Sequence, residues 1–454
     1  TIRREITLVP GEPLSRDRLS ESRRRLGALG LFRRIRITEI SHSSDTRRDV
    51  LVAVEEVQAT TLGYGGGFEA GTRLRRGREE SGAAVEQIEF APRGFFEIGR
   101  RNLWGKNRSV NLFTRVSLRP DNDQTINEDS SKFGFNEYRV LATFREPRAF
   151  GSAGELLFST FIEQSIRSSF NLKQRGVRVE WRRPLGSTTI FTGGYTFNRD
   201  QLFDERFNVD EKRLIDRLFP GIALSTFSGA FIRDSRDDPF DPTRGALVSV
   251  DAGLAGRAIG SNVGFAKTLM QGFFYRRVPG TPSVVFATGL RVGLATGFSR
   301  PVNVIDKDGN PVLTSNGQPV ETVIRDLPAS ERFFAGGSTT VRGFALDRLG
   351  DDSTIDRDGF PQGGNSLIII NSELRLPIWE SLGAVAFLDV GNVFKTVDRL
   401  TFGGLRGGAG FGLRYQSPIG PIRIDLGFKL DRRDFGSGTR ESLTALHVSI
   451  GQAF

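Results

Sequence analysis

Cysteine is absent from this chain of 454 residues, and histidine nearly so, with only His42 and His447. Disulfide scaffolds and Cys/His zinc sites are excluded, and a cysteine-free chain suits an oxidising compartment where stray thiols are a hazard. No apolar run approaches the ~20 residues that a membrane helix requires. With 26% charged residues and a mean hydropathy of -0.26, the chain is too polar for a helical membrane protein. Neither sign of charge is gathered in one place: 63 Lys and Arg against 53 Asp and Glu give a net +10, spread along the chain. A nucleic-acid partner is therefore not expected, since that reading needs a basic stripe or helix. Hydrolytic sites usually recruit a histidine base, and the two histidines lie in different regions, so no enzyme activity, cofactor or metal is expected. From Thr1 onward there is no charged segment leading into an apolar one, which places any export signal upstream.

Glycine is abundant, with 54 residues, and so are short alternating segments. In Ile422 to Leu430 every even position is apolar and every odd one is polar or glycine. Ala409 to Tyr415 alternates in the same way. The last segment sets Leu446, Val448, Ile450 and Phe454 on one face and Ala445, His447, Ser449, Gly451 and Ala453 on the other. Such alternation with a glycine-rich inner face fits a membrane-spanning barrel better than a soluble sandwich. Short turns are expected at 103–105, 148–151, 184–186, 242–245, 278–280, 379–383 and 418–420, each supplying Gly or Pro. Long polar connections are expected near 71–83, 120–133, 164–172, 199–222, 256–262, 297–365, 395–407 and 431–443. Seven short and eight long connections join sixteen antiparallel strands over residues 61–454, with no convincing helix among them. Short turns at one end and long loops at the other are the pattern of bacterial outer-membrane barrels.

Residues 1–60 read differently, as a small α+β module. Ser15 is placed to cap a helix running to about Leu29, with Leu19, Leu26 and Leu29 on one side and Gly30 as its stop. Two strands follow, carrying Phe32, Ile35 and Ile37, then Val50, Val52 and Val54, joined by a polar turn from Ser41 to Arg48. The module is too short to bury much core alone.

The sixth long connection, about seventy residues, exceeds ordinary loop lengths and argues for a functional or lumen-inserted segment. It contains Phe333-Phe334-Ala335-Gly336-Gly337 and Val341-Arg342-Gly343-Phe344. An arginine drawn into the lumen requires a carboxylate partner. The following strands offer two that face inward: Glu373, flanked by lipid-facing Leu374, and Asp389, between Leu388 and Val390. Spacing alone does not show that they meet Arg342. Asp306-Lys307-Asp308-Gly309 and Asp356-Arg357-Asp358-Gly359 resemble calcium loops but lack the downstream glutamate, so they read as solvated outer loops.

Gly336-Gly337, Val341 to Phe344, Phe387-Leu388-Asp389-Val390-Gly391, Gly412-Leu413-Arg414 and Ser417 to Pro421 together resemble the signature motifs of the BamA and TamA superfamily of outer-membrane barrel-assembly proteins. The hairpin from Asp234 to Gly245 and the final aromatic residue are similar too. Residues Arg23 to Phe32 and Asp49-Val50 resemble the second half of a POTRA domain, the chain beginning near the end of that domain's first helix at Ile2 to Ile6. The resemblance implies an integral outer-membrane insertase with a periplasmic POTRA module. Its partners would be unfolded outer-membrane clients, outer-membrane lipids, and accessory periplasmic or lipoprotein subunits. It implies that Arg342 tips an inward-folded loop and pairs with Asp389 and Glu373. It further implies a weak seam between first and last strands, here Gly63, Gly65, Gly66 and Gly67 against Ser449, Gly451 and Phe454, where unpaired backbone templates a client strand. The same glycines would equally relieve crowding inside the barrel. A two-partner polypeptide secretion pore shares these motifs and is the alternative reading.

Overall fold

The computed structural model describes residues 2–41, 48–77, 83–120, 133–208, 210–417, 420–434 and 440–450. Alternation dictates the architecture, because a strand with one apolar and one polar face must separate two environments. The small module holds helices α1 (Ile2–Glu5) and α2 (Arg16–Ala28) beside strands β1 (Phe32–Ser41) and β2 (Arg48–Glu56). Register sets Ile35 opposite Val54 and Ile37 opposite Val52, so one apolar face covers α2, whose Leu26 is fully buried. Gly30 ends the helix with φ +66°. Ser15 occupies the N-cap position but makes no side-chain capping bond. The stabilisation expected from that serine is therefore not realised. His42 lies outside the described residues, as do Gly451, Phe454, Pro418 and Ile419.

The chain then builds β3 (Thr60–Arg76), β4 (Ala84–Leu103), β5 (Arg108–Pro120), β6 (Phe133–Glu146), β7 (Glu155–Ile166), β8 (Asn171–Pro184) and β9 (Thr189–Phe203). A short helix α3 (Leu214–Leu218) precedes β10 (Gly221–Asp234), β11 (Gly245–Ala255), β12 (Phe265–Val278) and β13 (Thr281–Gly297). The small hairpin β14 (Arg300–Asn303) and β15 (Glu321–Ile324) stands apart, and β16 (Ser366–Trp379), β17 (Leu382–Phe394), β18 (Arg406–Ser417), β19 (Gly420–Lys429) and β20 (Thr444–Ile450) follow. Among the described residues sixteen of these strands, β3–β13 and β16–β20, close an antiparallel barrel in which β20 meets β3. Leu374, Leu376, Leu388, Phe411, Leu413 and Ile424 point outward and are exposed, while Asp389, Asp425 and His447 point inward and are buried. No helix of the described residues is long and apolar enough to cross a membrane.

Three expectations about connections change. Strand pairing continues past the apolar alternation, so the first long connection shrinks to 77–83 and the third to 167–170. The fourth connection carries α3, a helix that the polar sequence concealed. The turn expected at 242–245 is instead a ten-residue segment, 235–244. Asp237 organises that segment by accepting from the Thr243 hydroxyl and from the Thr243 and Arg244 amides, 2.9 and 3.0 Å away. These donors hold its carboxyl below the usual carboxylate range.

Side-chain contacts link module and barrel. Arg148, in the turn between β6 and β7, pairs with the buried Glu5 carboxylate of α1, and Arg101 of β4 donates to the Gly30 carbonyl at 3.5 Å. Within the module the Leu31 carbonyl accepts from Val57 at 2.9 Å, which sets the chain's exit toward β3. The lumen contains an apolar core supplied largely by the long connection between β13 and β16. Leu327, Phe333, Ala335, Val341, Phe344 and Leu349 pack there against Leu367, Ile369 and Val393 of the wall. Arg332 secures the connection to α3, donating to Asp216 at 2.7 Å and to the Leu327 carbonyl at 2.9 Å.

Candidate functional site: the lumenal loop and the strand seam

Loop residues 335–349 fold back on themselves. Gly337 N–H donates to the Phe344 carbonyl at 3.0 Å and Leu349 N–H to the Ala335 carbonyl at 2.8 Å. Gly336 sits at φ +113°, where a Cβ would also stand 2.3 Å from the Ala345 carbonyl oxygen, so only glycine fits. Val341 and Phe344 are fully buried and flank Arg342.

Strand register explains why two carboxylates converge on that arginine. Asn371 of β16 lies opposite Asp389 of β17, and Glu373 opposite Phe387, so inward residues of adjacent strands share one patch. Arg342 Nε and Nη2 donate to the two Asp389 oxygens, each at 2.7 Å, and its backbone N–H adds a third bond at 3.1 Å. Nη1 donates to Glu373, and the guanidinium lies 3.7 Å above the Phe387 ring. Asn371 completes the Asp389 shell at 2.8 Å and holds the Thr340 carbonyl at 2.6 Å. A bidentate, stacked and buried guanidinium is a single-position anchor that an ammonium cannot copy.

The tip also rests on bare backbone. A Cβ at Gly343 would lie 3.0 Å from Gly408 Cα on β18, and one at Gly427 on β19 would lie 2.5 Å from the Arg342 carbonyl oxygen. That carbonyl is 3.1 Å from His447 Nε2 on β20. A carbonyl only accepts, so His447 carries its proton on Nε2. Leu346 N–H then donates to the Thr72 carbonyl of β3 at 3.0 Å. The loop thus holds β16 and β17 on one side and both seam strands on the other.

The seam joins β20 to β3. Among the described residues the two strands pair at His447–Gly71, Val448–Ala70, Ser449–Glu69 and Ile450–Phe68, Ile450 being the last residue described. Beyond Gly71 the ladder is replaced by side-chain bonds, with Leu446 N–H donating to Thr72 Oγ1 at 3.0 Å and that hydroxyl donating to the Leu446 carbonyl at 3.2 Å. Ser449 therefore faces Glu69, and Gly63, Gly65, Gly66 and Gly67 lie to the other side of the described pairing. These glycines continue β3 past Phe68, and residues 451–454, which include Gly451 and Phe454, lie outside the described residues. At Gly65 a Cβ would stand 2.4 Å from the Phe95 ring, so that glycine makes room for an aromatic inside the barrel.

A second cluster lies next to the tip. Lys429 of β19 donates to both Glu86 oxygens on β4, at 2.9 and 3.0 Å, and to the Ser442 carbonyl at 2.7 Å. Arg348 of the loop reaches Glu86 at 3.6 Å and Glu441 at 3.9 Å, and Arg406 of β18 pairs with Glu441. The Arg406 guanidinium covers Phe344 at 4.7 Å. These charges escaped the sequence reading; the inward alternation of Lys429 was the one signal available. In the two calcium-like stretches the carboxylates serve backbone amides instead. Asp306 accepts from Asp308 and Asn310, and Asp356 from Asp358, Phe360 and Asn208.

Comparison with known proteins places this arrangement. The Omp85 superfamily domain matches residues 102–454, and the POTRA family, described as a surface antigen variable number repeat, matches residues 1–57. The chain belongs to the Omp85 superfamily. Among curated relatives of this Omp85 chain is the outer membrane protein assembly factor BamA of Nitratidesulfovibrio vulgaris, 23% identical over 99% of the chain and 49% of the relative. The protein of the same name from Neorickettsia risticii is 25% identical over 94% of the chain and 50% of the relative. The chain spans about half the length of these curated relatives. The crystal structure of BamA from Haemophilus ducreyi lacking POTRA domains 1-3 shares the fold at TM-score 0.71 and 18% identity, over 99% of this chain and 81% of that one.

Proposed function

We propose that this chain is the barrel end of an outer-membrane protein assembly factor, with residues 1–60 a POTRA segment in the periplasm and 61–454 the membrane barrel. It catalyses no chemical reaction. It takes unfolded barrel or autotransporter-type clients, works against outer-membrane lipids, and receives accessory periplasmic or lipoprotein subunits through its POTRA region. The seam between β3 and β20 carries this reading, because past Gly71 its ladder gives way to the side-chain bonds between Thr72 and Leu446. An opened seam exposes N–H and C=O groups that can template an incoming strand. The loop bearing Arg342 spans that seam through Thr72 and His447, so its position and the state of the seam are coupled.

The test is reconstitution in liposomes with an unfolded barrel substrate. The chain should accelerate substrate insertion, and a disulfide between Ala70→Cys and Val448→Cys, directly opposed on β3 and β20, should abolish the acceleration until reduced. Full acceleration after complete crosslinking, or none from the uncrosslinked protein, refutes the proposal. The chain's lack of cysteine makes the engineered pair unique.

A further inference from the structure

A cavity of about 700 Å³ lies inside the barrel beside the Arg342 tip and the seam, lined by ten arginines and five carboxylates. Each of those carboxylates already has a cationic partner. Glu69 is shared by Arg73, Arg93 and Arg119, and Glu137 is held by Arg119. Glu163 faces Arg139, Glu373 serves Arg342 and Arg375, and Asp425 serves Arg414. Among the described residues Arg115 of β5 and Arg423 of β19 face the cavity with no carboxylate within ion-pair distance, and Arg291 of β13 donates only to the Thr339 carbonyl. Unbalanced cations in a walled cavity focus a positive potential and raise the local concentration of anions.

The cavity borders the seam, its lining including Phe68, Glu69, Val448 and Ser449. Arg423, Ser449 and Glu69 form one row across it, from β19 through β20 to β3. A strand added at that edge must alternate, turning every second side chain into the lumen. We propose that the cavity is a specificity site that selects client segments carrying Asp or Glu at their lumen-facing positions, Arg115 and Arg423 supplying the free charge. The inference rests on the seam-templating function proposed above and names the chemistry of the strand so templated. Apolar alternate residues go to lipid, so the strand recognised is an amphipathic one whose polar face is acidic.

The test uses the full chain folded in detergent micelles and two fluorescent peptides of equal length. Both place the same apolar residues at alternate positions, one with Glu and the other with Lys between them. The Glu peptide should bind about tenfold or more tighter than the Lys peptide, a gap that should shrink between roughly 50 and 300 mM salt. The double variant Arg115→Gln, Arg423→Gln should weaken Glu-peptide binding by about tenfold or more and leave Lys-peptide binding unchanged or stronger. Heat-modifiable gel mobility verifies that the variant is folded, and single Arg115→Lys and Arg423→Lys variants, which retain the charge, should keep most of the affinity. Equal affinity for the two peptides, or an unchanged affinity in the folded double variant, overturns the site. Liposome insertion separates this outcome from the function itself. Equal acceleration of Glu-bearing and Lys-bearing clients refutes selectivity alone, whereas tight Glu-peptide binding with no accelerated insertion refutes the assembly function and leaves the anion site standing.

Discussion

Lys429 and Glu86 are 343 residues apart in sequence and 2.9 Å apart in space, joined across the two seam strands that separate β19 from β4. Neither side chain is more than 2% exposed. The pair therefore closes the barrel from within at the end where the β3–β20 ladder stops. Removing Lys429 leaves the buried Glu86 with the longer 3.6 Å contact to Arg348, a loss of up to about 3–5 kcal/mol. Lys429→Ala should lower the thermal unfolding temperature and speed hydrogen exchange in β3 and β20 above exchange in β8 and β9. The apolar double variant Lys429→Met, Glu86→Leu should recover part of the stability. Uniform protection across the barrel in Lys429→Ala would show that the pair does not hold the seam.

Arg342 offers a graded test of the loop anchor. Arg342→Ala leaves Asp389 buried without its main donor, a loss of about 3–5 kcal/mol in loop docking. Arg342→Lys keeps the charge but loses the two-pronged contact and the stacking on Phe387, so its effect should be smaller yet clear. Protease cleavage within 335–349 should rise from wild type to Arg342→Lys to Arg342→Ala, and client insertion should fall in the same order. A fully active, protease-resistant Arg342→Ala protein would remove the loop from the mechanism.

Gly427 tests the same anchor from the wall. Its absent side chain leaves the space that the Arg342 carbonyl occupies, and a methyl group would come within 2.5 Å of that oxygen. Gly427→Ala should displace the tip, weaken the His447 contact and destabilise the barrel by about 1–3 kcal/mol, as overpacked sites do. The imidazole signals of His447 in NMR spectra report the displacement directly. Gly383→Ala, where the nearest contact to an added methyl is 3.4 Å, is the matched control.

How much of this was legible in the sequence follows from which contacts are local. Period-2 alternation alone turns Glu373 and Asp389 inward, and adjacent strands bring them together, so the partners of Arg342 were within reach of pattern reading. Lys429 and Glu86 alternate inward equally well, but nothing in spacing says that β19 and β4 become near neighbours through closure. Gly408 and Gly427 look like any other barrel glycines until a loop from a distant connection is laid on them. Glycine content marks weak pairing on β3 without fixing which residues of the last strand oppose it. At Gly65 the deciding feature is the Phe95 ring of the neighbouring strand. Helix α3 was missed because five residues, Leu214–Leu218, give too little periodicity to read and are held by distant contacts, Ile215 in the lumenal core and Asp216 to Arg332.

Asp356 gives the loop a pH dependence of defined sign. Burial raises its carboxyl to about 6, against the pull of the Asn208 and Phe360 amides, with Asp358 and Glu211 adding negative charge nearby. An ordinary aspartate in the unfolded chain titrates near ~3.9. A raised folded-state value means that the neutral form is favoured by folding. Its contribution is complete below about 4 and is lost as pH rises through about 6. The turn that Asp356 organises packs Phe360 against Leu74, Ala84 and Ala345, and its Asp358 carbonyl accepts from Ala84 N–H at 2.7 Å on β4. Docking of residues 354–362 should therefore be tighter at pH 5 than at pH 7.5. Hydrogen exchange at the Phe360 and Asn208 amides, corrected for the intrinsic pH dependence of exchange, should show greater protection at the lower pH. Asp356→Asn, which keeps the acceptor oxygen without the charge, should show the higher protection at both. If protection instead increases toward pH 7.5 in the wild type, the amide bonds to the charged carboxylate outweigh burial and the assigned sign is wrong.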